Sequence, residues 1–207
     1  MSAEDAATFD TAPFVLLPAS AREVVRWQNG RGVTQEVAVG PDAAAGAGSG
    51  GGGGGFDWRV SIATVDGDVD FSVYPGVDRD LMALSSAGLD LVVDGEPVGI
   101  RQFGVHRFAG ESVVASVNVA QPTQDLNLML TRSRVTGELA ALSFDGTLTI
   151  ESGPGEVVLV IVLDGSARVG ESRLGAQDAV KLGTGARLEL SGEATLALAR
   201  IRPVHIR

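Results

Sequence analysis

The chain has 207 residues, 44% hydrophobic and 20% charged, which suits one large or two small globular domains. Its net charge of −10, without a Lys/Arg cluster, argues against binding to nucleic acid. Cysteine is absent, which excludes disulfides, thiolate nucleophiles and Cys-ligated zinc. The acidic N-terminus lacks a signal-peptide pattern, and the longest apolar run, residues 157–163, is too short to cross a bilayer. We therefore expect a cytoplasmic location and no membrane contact.

Short alternating segments predict an all-β fold. Residues 33–39 and 56–65 alternate on either side of residues 43–55, a stretch of Ala, Gly and Ser that we expect to be a disordered loop. Further predicted strands, several bounded by Asp-Gly, lie at residues 89–93, 98–100, 113–119, 126–131, 142–144, 148–150, 157–163, 167–169, 180–182, 187–190 and 195–201. A single helical turn is predicted at residues 79–85.

The spacing of these strands predicts the architecture. Strands that recur roughly every eight to twelve residues without intervening helices are typical of a sandwich or barrel. Residues 156–202 have the rhythm of half a cupin, in which a strand ends at Asp-Gly and a short strand returns, and residues 71–95 resemble it. We predict a bicupin, with two RmlC-like cupin units in one chain. The N-terminal unit would span residues 1–137, and the C-terminal unit, residues 138–207, would pack against it.

Four stretches, in this order, resemble motifs of the HutD/Ves family. They are WQNGRGVTQE at residues 27–36, FDWRVSIA at 56–63, FSVYPGVDR at 71–79 and DLNLM at 125–129. Each motif is weak alone, but the ordered set is specific. The chain departs from the family pattern at Arg31, where another Gly is usual, and in its Gly/Ala segment.

The resemblance implies a two-cupin fold and an association with histidine utilisation, as a sensor or governor of that pathway. It implies a small anionic metabolite as partner, of the urocanate or formylated glutamate type. Self-association into a homodimer is left open.

Metal-dependent chemistry is not expected. Cupins that use metals generally need two or three histidines and a carboxylate at one site. This chain has only His106 and His205, which are far apart in sequence. Asp66, Asp68 and Asp70 resemble the start of a calcium loop, but Phe71 and Val77 stand at the sixth and twelfth positions, where the loop requires Gly and Glu. No Ser-His-Asp arrangement can be assembled with confidence. We therefore expect no metal and no cofactor.

Three pairs of polar residues lie at i and i+2 on predicted strands whose opposite faces are apolar. The pairs are Thr34/Glu36, Arg59/Ser61 and Asp125/Asn127. If these faces line a barrel, Arg59 needs an anion, which Glu36, Asp125 or a ligand carboxylate can supply. An arginine can hold a carboxylate through two parallel hydrogen bonds. The alternatives are a structural ion-pair network or the solvent face of an open sheet.

Trp27, Asn29 and Arg79 complete the candidate set. Each tryptophan could be a core residue or a stacking wall for a planar ligand; Trp58 is expected in the core, because it shares a face with Val60. For Trp27 both roles stay open, since Asn29-Gly30 beside it marks a turn at the strand end. Arg79 is expected to pair or cap locally with Asp78, or to be a second anion contact. The full set of candidate ligand-binding residues is Trp27, Asn29, Thr34, Glu36, Arg59, Ser61, Arg79, Asp125 and Asn127.

The sequence therefore favours a metal-free protein that binds a small carboxylate metabolite near Arg59 and senses or regulates histidine utilisation. One alternative is a metal-independent isomerase or hydrolase with Glu36 or Asp125 as acid/base. A third reading is a structural or partner-binding protein without a ligand. Binding is favoured over catalysis, and no catalytic residue is assigned.

Overall fold

The structure is a computed structural model that describes residues 14–27, 30–40 and 55–204. These residues form fifteen strands and one short 3₁₀ helix, Ala19–Ala21. The strands are β1 (Phe14–Leu17), β2 (Val24–Arg26), β3 (Gly32–Gly40), β4 (Trp58–Val65), β5 (Val77–Ala83), β6 (Leu89–Val93), β7 (Glu96–Ile100), β8 (Val105–Ala109), β9 (Val114–Val117), β10 (Thr123–Thr131), β11 (Val135–Glu151), β12 (Val157–Val169), β13 (Ser172–Leu174), β14 (Ala179–Leu182) and β15 (Arg187–Pro203). The all-β prediction is confirmed.

The strands form three antiparallel sheets. The central sheet has the order β2-β3-β4-β10-β5-β8, and the small sheet has the order β7-β6-β9. The C-terminal sheet has the order β1-β14-β12-β15-β11, with β13 paired to β12. Strand β1 thus joins strands that all follow it by more than a hundred residues, since Phe14 pairs with Leu182. The described part of the chain contains no helix long or apolar enough to cross a membrane.

The alternation in β4 explains how the central sheet packs between the C-terminal sheet and the small sheet. Trp58, Val60 and Ile62 are buried, and they pack in one cluster with Leu159 and Ile161 of the C-terminal sheet. Trp58 is therefore a core residue, as predicted. Because side chains alternate across a strand, the intervening residues of β4 face the other way, toward the small sheet.

The run at residues 157–163 is covered on both faces. Leu159 and Ile161 face the central sheet, while Val158, Val160 and Val162 enter a second apolar cluster within the C-terminal sheet. That second cluster consists of buried Val, Leu, Ile and Ala residues and includes Leu188 and Leu190.

Three Asp-Gly or Gly positions that were predicted as reversing turns are bends within long strands. Residues 142–150 lie in the single strand β11, residues 157–169 in β12 and residues 187–201 in β15. Gly146 (φ +95°), Gly165 (φ +76°) and Gly192 (φ +130°) adopt backbone angles that other residues avoid. Gly146 pairs directly with Gly192, so the bends align across neighbouring strands and the sheet folds over itself.

Two other local predictions had different outcomes. The hairpin at residues 89–100 is confirmed as β6 and β7, joined at Asp94-Gly95. The prediction of a helical turn at residues 79–85 is wrong, because most of these residues lie in β5, which pairs with β10 and β8. Arg, Leu, Met and Ala favour helices locally, but sheet pairing and burial override that preference. The loop prediction for residues 43–55 falls almost wholly outside the described residues, which resume at Gly55.

Candidate functional site

A polar cluster lies on the face of the central sheet that looks toward the small sheet. Strand register builds it: Met129 of β10 pairs with Arg59 on one side and Arg79 on the other. One step along, Asn127 pairs with Ser61, and a further step brings Asp125 next to Ala63. Because directly paired residues share a face, these strands bring the polar residues together.

Arg79 is the most deeply placed cation of this cluster. Arg79 is only 6% exposed. Nε donates to Asn127 Oδ1 at 3.2 Å, and Nη1 donates to the Ser72 carbonyl at 3.3 Å. No carboxylate of the described residues forms an ion pair with it. Burial lowers the pKa of Arg79, and the nearby charge of Asp125 partly opposes that effect.

Three aromatic rings surround the Arg79 guanidinium. Its central carbon lies 4.9 Å from the ring centre of Phe108, 5.6 Å from that of Phe71 and 5.7 Å from that of Tyr74. Each distance is within the range of a cation–π interaction. The rings and the two hydrogen bonds therefore hold the guanidinium in one position, and no carboxylate of the described residues is in direct ion-pair contact with it.

Asp125 is the buried anion of the cluster. It is completely buried, and Oδ1 accepts a hydrogen bond from Asn127 Nδ2 at 3.1 Å. Oδ2 has no hydrogen-bond partner among the described residues. Burial raises the pKa of Asp125 to about 6, although the charge of Arg79 and the hydrogen bond from Asn127 oppose the rise. Asp125 thus titrates much nearer to neutral pH than an exposed aspartate does.

Arg59 and Glu36 form an ion pair at the more exposed part of the cluster. Arg59 Nε lies 3.0 Å from Glu36 Oε2, and the two side chains are 26% and 47% exposed. The positive charge of Arg59 is close enough to Arg79 to lower the pKa of that second arginine. Two neighbouring guanidinium groups repel each other, and this repulsion favours the binding of an anion between them.

The remaining candidates are distributed around this cluster. Ser61 is buried on the same face, directly between Glu36 of β3 and Asn127 of β10 in the register. The Trp27 indole donates to Thr34 Oγ1 at 2.8 Å. Asn29 lies outside the described residues.

The expected pairing of Asp78 with Arg79 is wrong. Asp78 instead pairs with Arg132, at 2.8 Å from its Nε. The two neighbours lie on opposite faces of β5, since consecutive strand residues point to opposite sides of a sheet.

The aromatic residues around Arg79 were not among the residues predicted from the sequence. Phe71 and Tyr74 appear in one of the resembling motifs, but no local pattern shows that their rings contact an arginine on the next strand. Phe108 pairs directly with Arg79 across β5 and β8. The two residues are 29 positions apart in sequence, so their contact can be recognised only once the strand register is known. The FxxYxxxxR spacing of residues 71–79 was the one signal available.

Two other parts of the molecule fit a polar ligand less well. The cluster inside the C-terminal sheet is apolar, and a depression of about 190 Å³ between residues 87–90 and 117–123 contains one charged side chain, Asp90. Within the described part of the chain, no three His, Asp or Glu side chains come together as a potential metal site.

A sequence model of the HutD family matches residues 19–199, which is most of the chain. The chain belongs to the HutD family. It is 33% identical over 154 residues to Protein Ves of Citrobacter koseri, covering 72% of this chain and 73% of that one. It is also 32% identical over 134 residues to an uncharacterised protein in the hutC 3' region of Pseudomonas putida, covering 64% of this chain and 65% of that one.

Solved structures show that this fold recurs. HutD from Pseudomonas fluorescens SBW25 has a TM-score of 0.75 at 26% identity, covering 93% of this chain and 100% of that one. A conserved protein of unknown function from Pseudomonas aeruginosa PAO1 has a TM-score of 0.77 at 24% identity, with the same coverage. The YlbA protein of Escherichia coli, at 10% identity and a TM-score of 0.69, shares the fold alone; the two chains are each covered to 93%.

Proposed function

We propose that this HutD family protein binds a small carboxylate-bearing metabolite between the central and small sheets, with Arg79 as its principal contact. Through that binding it senses or regulates histidine utilisation in the cytoplasm. We further propose that the fold is a bicupin divided near residue 137 and that the N-terminal unit holds the site. The observation that supports the binding proposal most is the buried Arg79, which has two hydrogen bonds and no described carboxylate partner.

A buried guanidinium without a counter-ion costs free energy that the rest of the fold must offset. Cation–π contacts with three rings recover part of this cost, but a ring supplies no hydrogen-bond acceptor. A ligand carboxylate would supply both negative charge and acceptor oxygens. Arg59, whose charge acts on Arg79, is a suitable second contact because only its Nε is engaged by Glu36.

The family relationship supports the biological part of the proposal. One relative is described by its position beside hutC in Pseudomonas putida, and a similar solved structure is named HutD. Carboxylates of histidine breakdown, of the urocanate or N-formylglutamate type, are the natural candidates. Either could place its carboxylate at Arg79 and its planar or amide group toward Ser61 and Trp27.

A metal-independent isomerase or hydrolase is the second candidate. It is favoured by one observation, the pKa of about 6 at Asp125, which suits a general acid or base at neutral pH. Against it, Asp125 is completely buried, so a substrate would have to displace neighbouring side chains to reach it. Turnover of urocanate or N-formyl-L-glutamate by the purified protein would support this candidate over simple binding.

The binding proposal is tested by Arg79→Lys with Arg134→Lys as the matched control. Lysine keeps the charge but loses the planar fork of donors, so the affinity for N-formyl-L-glutamate should weaken by roughly 1–3 kcal/mol. Arg134 pairs with Asp57 at the surface, and its replacement should change neither binding nor folding. Isothermal titration calorimetry gives the affinities, and circular dichroism confirms that both variants are folded. Equal affinity in all three proteins would contradict the role of Arg79.

A further inference from the structure

We infer that a carboxylate ligand enters this site together with a proton, which is taken up by Asp125. The inference rests on the proposed binding at Arg79 and adds to it a second participant and a dependence on pH. Arg79, Asn127 and Asp125 form a continuous chain of hydrogen bonds in this site.

Asn127 links Arg79 to Asp125. Its side-chain oxygen accepts from Arg79 Nε at 3.2 Å, and its nitrogen donates to Asp125 Oδ1 at 3.1 Å. Among the described residues, Asp125 forms no ion pair, and its Oδ2 has no hydrogen-bond partner. The ionised form of Asp125 therefore depends on one hydrogen bond and on the positive charge of Arg79.

The other surroundings of Asp125 do not stabilise a negative charge. The charged or titratable side chains that face the cluster from other strands and segments are Arg79 on β5, Arg59 on β4, Glu36 on β3, His106 on β8 and Tyr74 in residues 66–76. Glu36 already pairs with Arg59, which neutralises both. The small sheet contributes apolar residues such as Leu89, Leu91 and Val114 to the opposite wall.

A bound carboxylate would remove the support on which ionised Asp125 depends. Its negative charge at Arg79 cancels the favourable potential and places a second anion near a completely buried carboxylate. Two like charges in one buried site raise the pKa of the weaker acid. Since the pKa of Asp125 is already about 6, a further rise moves its titration into the neutral range. The ligand stays ionised at the guanidinium, and the proton goes from solvent to Asp125.

The sign of the pH effect follows from linkage. The complex binds more protons than the free protein at pH values between the free pKa of about 6 and the higher pKa in the complex. Within that window the affinity increases as pH falls, by up to about tenfold per pH unit for one linked proton. Below this window Asp125 is protonated in both states, and the affinity becomes independent of pH.

The test is isothermal titration calorimetry of the full chain with N-formyl-L-glutamate, whose carboxyl groups stay ionised across the window. Titrations at pH 7 in two buffers of different ionisation enthalpy, neither a carboxylate nor a phosphate, give the number of protons taken up. We expect uptake approaching one proton per ligand and a Kd that rises between pH 6 and pH 8. Asp125→Asn should still bind, with no proton uptake and a Kd that no longer depends on pH.

Two controls assign the proton. Asp78→Asn removes a carboxylate on the opposite face of β5 and should leave proton uptake as in the parent protein. His106→Gln removes the imidazole that faces the cluster from β8 and should also leave proton uptake unchanged. Uptake that persists in Asp125→Asn, or that is lost in His106→Gln, would overturn the assignment to Asp125. Binding without proton uptake in the parent overturns this inference alone, whereas no binding at any pH overturns the proposed function as well.

Discussion

At the scale of single residues, Asn127 forms hydrogen bonds with two buried charged groups, Arg79 and Asp125, that are costly to bury. Within the described part of the chain, Arg79 has no carboxylate in ion-pair contact, and one oxygen of Asp125 has no hydrogen-bond partner. Buried polar groups are normally satisfied, so a site with both features is poorly optimised for stability. Such a cost is expected where the groups are kept for binding rather than for folding.

This view predicts that Asp125→Asn stabilises the unliganded protein above pH 6. The pKa of Asp125 is raised from 3.8 to about 6 by folding, so the folded state holds a proton more tightly than the unfolded chain. Stability therefore falls as pH rises through this range, and the full cost is present above pH 6. Asparagine resembles the neutral form and should raise the free energy of unfolding at pH 7.5 by roughly 1–3 kcal/mol. Urea unfolding should show little difference at pH 4, and destabilisation at pH 7.5 would contradict the prediction.

Part of this residue-level arrangement was predictable from sequence. The period-two pairs predicted that Arg59, Ser61, Asp125 and Asn127 share a face, and strand register places them together. The period-two pattern favours Arg59 as the central ligand contact, and that hypothesis stays a prediction alongside the one for Arg79. Depth of burial and the rings around Arg79 depend on which strands neighbour each other, which alternation along one strand does not reveal.

At the scale of secondary structure elements, glycines with positive φ convert six predicted short strands into three long bent ones. Gly192 on β15 lies between Gly146 on β11 and Ala167 on β12 in the register. An Asp-Gly pair is a strong local signal for a hairpin. Here the same conformational freedom bends a strand instead, and only the pairing of the flanking segments with a common neighbour separates the two outcomes.

Gly192→Ala should be strongly destabilising. The residue has φ +130°, and an added Cβ would lie 2.6 Å from the backbone oxygen of Ser166. Because the clash is with backbone, relief requires a shift of β12, and we expect a loss of about 2 kcal/mol or more in the free energy of unfolding. Gly183→Ala, where an added Cβ meets nothing within 4 Å, is the matched control and should be nearly neutral. Equal thermal midpoints for the two variants would show that the bend does not require Gly192.

At the scale of the whole molecule, one apolar cluster joins the central sheet to the C-terminal sheet. Val60 and Leu128 on one side pack in the same cluster as Leu159 and Ala199 on the other, and β1 crosses over to pair with β14. The sequence predicted the all-β class because alternation and turn residues are local signals. The crossing of β1 could not be predicted, because the four residues of that strand show no feature that selects partners as distant in sequence as Leu182 is from Phe14.

The measurement that most directly tests the account is a crystal structure of the full chain with N-formyl-L-glutamate. The account predicts a ligand carboxylate within hydrogen-bond distance of Arg79 Nη2, between the rings of Phe71 and Phe108 and the polar face of the central sheet. Ligand bound instead in the depression between residues 87–90 and 117–123, with the Arg79 side chain unchanged, would contradict it.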